Sequence, residues 1–91
     1  IEMKYIIENR NYGSTMVEFL NTDTTSTEDL WWSYHEIGKQ TNNKLSFNSR
    51  KDAEPYLNAI KNYAIKDWYQ NEHIHRMHGV KKPQWKIYTK K

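Results

Sequence analysis

The chain has no cysteine, which excludes disulfide staples and thiolate zinc sites and fits a reducing compartment. Its three glycines, Gly13, Gly38 and Gly79, are isolated, so neither a dinucleotide-binding Gly-x-Gly-x-x-Gly run nor a phosphate-binding loop can be assembled. A Gly-x-Ser-x-Gly nucleophile elbow is also missing. No apolar run approaches a membrane span and no secretory leader core is visible, so the expectation is a cytoplasmic protein without a membrane partner. Acidic residues stop at Glu72, after which Arg76, Lys81, Lys82, Lys86, Lys90 and Lys91 add six positive charges. The net charge of +3 therefore divides into −3 over residues 1–72 and a basic C-terminal end. No motif for catalysis or a cofactor is present, and the expectation is a non-enzyme without cofactor.

What is present suits one small domain. A length of 91 residues supports a modest core. Mean hydropathy is low at −1.09, yet four Trp, seven Tyr and two Phe carry an apolar payload that argues against disorder. Ile1-Glu2 reads as an added remnant ahead of Met3, the expected natural start.

The stretch 45–69 organises the rest. Ser49 is the best helix N-cap, with Asn48 the alternative, and Asp52 follows three residues later. At about 100° per residue, Ala53, Leu57, Ile60, Ala64 and Trp68 form one stripe, with Tyr56 and Tyr63 at its edge. Pro55 removes a backbone donor, so an irregular first turn or a start nearer Asp52 is expected. Ile65 and Tyr69 adjoin one another on the polar face, either as ordinary surface residues or as a partner or homodimer contact. Ser49, Arg50 and Lys51 at the helix start are either solvated or a site for an anion.

Residues 3–8 and 15–20 alternate as strands around Asn11-Tyr12-Gly13, a turn signal expected to supply positive φ, and predict an N-terminal hairpin. Thr25, Ser26, Glu28 and Asp29 look like a helix start and Gly38 like its stop, so residues 28–37 are expected to form a short helix with Leu30, Tyr34 and Ile37 inward. The rival is a strand, because Trp-Trp-Ser-Tyr is good strand composition. Trp32 then either covers a sheet edge or anchors a partner. Beyond Tyr69 the helix is expected to run to Met77 with Gly79 as its stop, and residues 84–89 to form a closing strand. The fold class is therefore α+β: an N-terminal β-hairpin, a short helix, a long central helix and a C-terminal strand, with a small antiparallel sheet packed on helices.

His73, His75 and His78 have a spacing that could suit zinc, but no acid follows Glu72 to support them and Arg76 intervenes, so no metal is expected. Lys81, Lys82, Trp85, Lys86 and Tyr88 interleave cations with rings. That arrangement is either a lysine-covered core edge or a surface for nucleic acid or nucleotide.

The run Phe47-Asn48-Ser49-Arg50-Lys51-Asp52-Ala53-Glu54-Pro55-Tyr56-Leu57 resembles a Phe-x-Ser-x-x-x-Ala-x-x-Tyr-Leu pattern of small phage and prophage accessory proteins. Pro55 and the polar stretch before Leu45 depart from that pattern. The resemblance implies an α+β accessory protein, in a class that includes inhibitors of bacterial immunity and host enzymes, acting in the host cytoplasm. The abundance of Asn, Lys, Ile and Tyr, all with A/T-rich codons, points to an A/T-rich genome, such as that of many bacteriophages or low-GC bacteria. Together these readings give the leading expectation: a binding protein that occupies a host or defence-system protein through Trp32, Ile65 and Tyr69. The alternative is a nucleic-acid or nucleotide binder using Ser49, Arg50, Lys51 and the C-terminal cations and rings.

Overall fold

The computed structural model describes residues 3–90. The expectation for Ile1 and Glu2 lies outside them. Strands β1 (Lys4–Asn9), β2 (Met16–Leu20), β3 (Trp32–Glu36) and β4 (Trp85–Lys90) form one antiparallel sheet in the order β3-β2-β1-β4. Between β3 and β4 come helices α1 (Arg50–Gln70) and α2 (Glu72–Met77). The fold is thus α+β, with the hairpin, the long helix and the closing strand where the alternation and caps predict them.

Alternation decides the two faces. Ile7 of β1, Leu20 of β2, and Trp85 and Ile87 of β4 meet Ala53 and Ile60 of α1 in the core. Tyr56, Leu57 and Ala64 pack against this cluster, as the helical stripe requires, and Trp68 is also buried. Ser49 caps α1: it lies in extended backbone and its Oγ accepts the Asp52 N–H at 3.1 Å. Pro55 does not delay the start. It lies inside α1 near its solvent-exposed beginning, where water can serve the Lys51 carbonyl that a proline nitrogen cannot.

The other face carries Ile6, Glu8, Val17 and Phe19, all buried without help from α1. Their cover is the connection leaving β3. Gly38, at φ +87°, turns the chain back, and residues 39–44 return across this face. Lys44 arrives beside Phe19, with its ammonium 5.4 Å from the ring, and donates to the buried Glu8 carboxylate. Arg10 Nε donates to the other oxygen of Glu8 at 2.9 Å, so that buried charge is paired twice.

The same connection then enters the sheet. The β1–β2 ladder spans only Glu8↔Phe19 and Asn9↔Glu18. Beyond it the strands part, and residues 43–47 bridge the gap. The Leu45 N–H donates to the Leu20 carbonyl at 3.0 Å, while Phe47 and Tyr5 exchange backbone bonds of 2.8 and 2.9 Å. The long helix is therefore launched from inside the sheet.

Three local expectations are corrected. Residues 28–37 do not form a helix. The groups that look like caps instead close a turn, with Ser26 Oγ accepting the Glu28 N–H at 3.2 Å and Thr25 Oγ1 donating to Asp29 at 2.7 Å. Thr24 Oγ1 then clamps both backbone groups of Trp31, and β3 pairs with β2 from Leu20↔Trp32 to Met16↔Glu36. Tyr34 and Ile37, expected inward, are exposed. Gly13 does not have positive φ; among the described residues only Gly38 and Gly79 do. Finally, the central helix is broken at Asn71, and the short helix that follows, α2, reaches Met77 as expected. It ends in a Schellman cap: Val80 N–H bonds the His75 carbonyl at 2.9 Å, Gly79 N–H bonds that of Arg76 at 3.2 Å, and Gly79 takes φ +73°.

Candidate functional site

Helix α1 lies over β1 and β4 and leaves the β3 side of the same face bare. Aromatic rings occupy that bare half. Trp32 remains 38 % exposed and Tyr34 60 % exposed. Because β3 is a strand, these two lie two apart on one face. Tyr12, from the β1–β2 turn, stacks on Tyr34 with ring centres 5.9 Å apart. Tyr63, at the exposed edge of the helical stripe, meets Trp32 at 5.2 Å. Four rings from three elements thus make one continuous surface.

The surface adjoins an open sheet edge. Asn21 N–H donates to the Trp31 carbonyl and Ile37 N–H to that of Thr15, so odd-numbered residues from 31 to 37 turn their backbone groups toward β2. The N–H and C=O of Trp32 and Tyr34 therefore face outward. The opposite edge, β4, carries Lys86 and Lys90, a usual guard against strand pairing, whereas β3 has neither lysine nor proline.

Between the rings and α1 is a crevice of about 70 Å³, room for a few waters or one small polar group. Glu18, Asp67 and His75 lie in its walls with Tyr12, Trp32 and Tyr63. Glu18 Oε1 accepts the Asn9 side-chain amide at 2.9 Å. Burial raises the Glu18 carboxyl above its ordinary value and Asp67 adds to the rise; the Asn9 bond and His75 oppose it. Burial likewise raises the Tyr12 phenol, followed by the charge of Glu18 and the neighbouring Tyr34. His75 stacks on Trp68 at 6.5 Å, and its Nε2 stands 3.5 Å from Asp67 without forming a hydrogen bond.

The residues singled out in the sequence separate in space. Trp32 belongs to the aromatic surface. Ile65 is half-buried on the other side of α1, beside Pro83, Gln84 and Lys86. Tyr69 is exposed, with its ring against Trp68 and the Lys82 ammonium 5.1 Å from its centre. Trp32 is therefore not continuous with Ile65 and Tyr69. The basic C-terminal set divides as well. Lys81 and Lys82 are tied to the β1–β2 turn: the Lys81 N–H donates to the Tyr12 carbonyl, and the Asn11 side-chain amide donates to the Lys82 carbonyl. By alternation along β4, Lys86 and Tyr88 leave the sheet on the face opposite α1, across the ladder from Glu8 and Ile6, while Lys86, on the edge strand, also borders the hollow beside Ile65. Trp85, expected to offer a ring to nucleic acid, is 4 % exposed and part of the core, so it cannot stack on a base. At the start of α1, Ser49 is used as the cap, the Arg50 guanidinium lies 5.9 Å from the Tyr5 ring, and Lys51 is exposed. His73 and His78 are exposed while His75 is half-buried, and no metal-holding group of three His, Cys, Asp or Glu occurs among the described residues.

Tyr12, Tyr34 and Tyr63 escape a reading by sequence. A strand reading of residues 32–36 would have placed Tyr34 beside Trp32, but nothing in the sequence brings Tyr12 and Tyr63 to them.

No helix among the described residues is long and apolar enough to cross a membrane. Comparison with protein-family models, with curated proteins and with solved structures finds no match. The class that fold and surface define is a small antiparallel α+β domain with a bare aromatic face beside an open strand.

Proposed function

We propose that the chain is a non-enzymatic binding protein of the phage-encoded type, which inhibits or modulates a host or bacterial-immunity protein by covering part of its surface. The observation that carries this reading is the continuous face of Trp32, Tyr34, Tyr12 and Tyr63 beside the unpaired edge of β3. Tyr and Trp supply large contact area at little entropic cost and are the residues that anchor protein interfaces. The outward backbone groups of β3 add a means of fixing a partner in register, by accepting one of its strands. A stable contact needs about 800 Å² per partner, roughly an eighth of the 6433 Å² surface. The phage-type pattern around Ser49 and the A/T-rich composition suggest the setting, a bacterial cell.

The test is affinity capture from bacterial lysate, with and without nuclease, using the parent protein and the variants Trp32→Ala, Tyr34→Ala and Ile65→Ala. A protein recovered at stoichiometric yield, insensitive to nuclease and lost with Trp32→Ala or Tyr34→Ala but kept with Ile65→Ala, supports the reading. Loss with Ile65→Ala alone moves the interface to the far side of α1. Recovery of no protein removes the proposal, and self-association seen by sedimentation would make a second copy the partner.

A further inference from the structure

A second site lies on the opposite side of the sheet. The return of residues 39–44 across that face leaves an open groove of about 550 Å³ between the connection, β1 and β4. Arg10, Lys39, Lys44 and Lys90 line it, and Lys86, directly across the ladder from Glu8, sits on the edge strand between this groove and the hollow beside Ile65. Among the described residues Glu8 is the one acid lining the groove, and Lys44 and Arg10 already pair with it. The buried ion pair thus removes the negative charge that would oppose an anionic ligand. Arg10, Lys39, Lys86 and Lys90 are all exposed. The groove also holds flat π surface: the Arg10 guanidinium lies 3.6 Å from the centre of the Tyr88 ring, which makes a two-layer stack in the groove wall. Nucleobases stack readily on such aromatic and guanidinium planes.

We propose that this groove binds single-stranded nucleic acid without regard to sequence, with Arg10, Lys39, Lys86 and Lys90 on phosphates and the Arg10–Tyr88 stack receiving a base. Single strands fit better than a duplex for two reasons. Bases must be splayed to reach the stack, and α1, the long helix that could enter a duplex groove, lies on the other side of the sheet. An acidic protein would satisfy the cations but would not use the stack. The site shares no residue with the aromatic face around Trp32, so either can fail without the other.

The experiment is fluorescence anisotropy with labelled 12-nucleotide oligo-dT and oligo-U, a 12-base-pair duplex and a poly-glutamate peptide, each between 50 and 200 mM salt. Four phosphate contacts on a single strand predict affinity falling roughly 50-fold over that range. Removing two of them with Lys86→Ala/Lys90→Ala reduces the fall to about 7-fold. Tyr88→Leu weakens single-strand binding about 5-fold or more at every salt concentration without changing the salt dependence. Lys51→Ala/Lys66→Ala, an equal loss of charge on the outer face of α1, leaves binding unchanged. Duplex or poly-glutamate bound as tightly as the single strands overturns the proposal. So does the absence of single-strand binding at 50 mM salt, an unaltered salt dependence in Lys86→Ala/Lys90→Ala, or an equal effect of the Lys51/Lys66 pair.

Discussion

Replacing Asn9 with alanine should be among the most damaging single changes to this fold. Asn9 is 1 % exposed at the end of β1. Its Oδ1 accepts the backbone N–H of Asn11 and of Gln84, each at 3.0 Å, and its Nδ2 donates to Glu18 at 2.9 Å. One side chain thereby closes the β1–β2 turn, sets the entry into β4 and holds Glu18 in the wall of the crevice. At about 1 kcal/mol net for each hydrogen bond, Asn9→Ala should cost about 3 kcal/mol. For a domain of this size that lowers Tm by roughly 12–24 °C. Asn9→Asp separates the roles. It keeps the acceptor for both N–H groups but sets a second carboxylate against Glu18. Its loss should be smaller than that of Asn9→Ala, and adding Glu18→Gln should recover part of it. Urea denaturation followed by tryptophan fluorescence measures Asn9→Ala and, beside it, the four proteins of the Asn9→Asp/Glu18→Gln double-mutant cycle. A loss under about 1 kcal/mol for Asn9→Ala, or zero coupling between Asn9→Asp and Glu18→Gln, would refute the reasoning.

Three further outcomes are expected. Burial holds the Glu18 carboxyl above its ordinary value, so the folded state binds this proton more tightly than the unfolded chain. This group's contribution to stability is therefore highest below pH 4.5 and declines as pH rises through the raised folded value; Glu18→Gln should be the more stable protein at neutral pH and lose that advantage in acid, as a pH series of unfolding curves would record. Glu8→Ala leaves the nearly buried Lys44 charge unpaired and should cost about 3–5 kcal/mol, whereas Lys44→Met, which leaves Arg10 on Glu8, should cost clearly less by the same assay. Gly79→Ala forces a left-handed residue to carry a Cβ and should cost about 1–2 kcal/mol, while Gly13→Ala, with no positive φ and nothing within 4 Å of the added carbon, should be close to neutral in thermal melts.

Much of the architecture follows from local rules. Ser49 and the Ala53–Ile60–Trp68 stripe define α1 because a cap and a periodic apolar face act within a few residues of one another. The alternation around Ile7, Phe19 and Ile87 likewise defines three strands. Residues 28–37 fail the same treatment because Ser26 and Asp29 bond to each other's turn as readily as to a helix start. Which bond wins depends on whether β2 offers a partner strand. The candidate sites were less legible. Trp32 is visible as an anomaly, but Tyr12 and Tyr63 reach it only because α1 covers half of the sheet. The lysines after Glu72 read as one basic face, yet β4 sends Lys86 to one side of the sheet while Lys81 and Lys82 stay with the turn on the other.

The amino-acid order alone determined the class of fold, the cap and stripe of the long helix, its glycine-stopped extension and an aromatic-rich, C-terminally basic surface. Each rests on interactions between residues near in sequence. Tertiary structure alone decided that residues 39–47 cross one sheet face and wedge between β1 and β2, that Glu8 is buried with its two cations, and that the Trp32 rings and the cationic groove lie on opposite sides of the sheet. Those arrangements join residues tens of positions apart, and only the closed sheet brings them into contact.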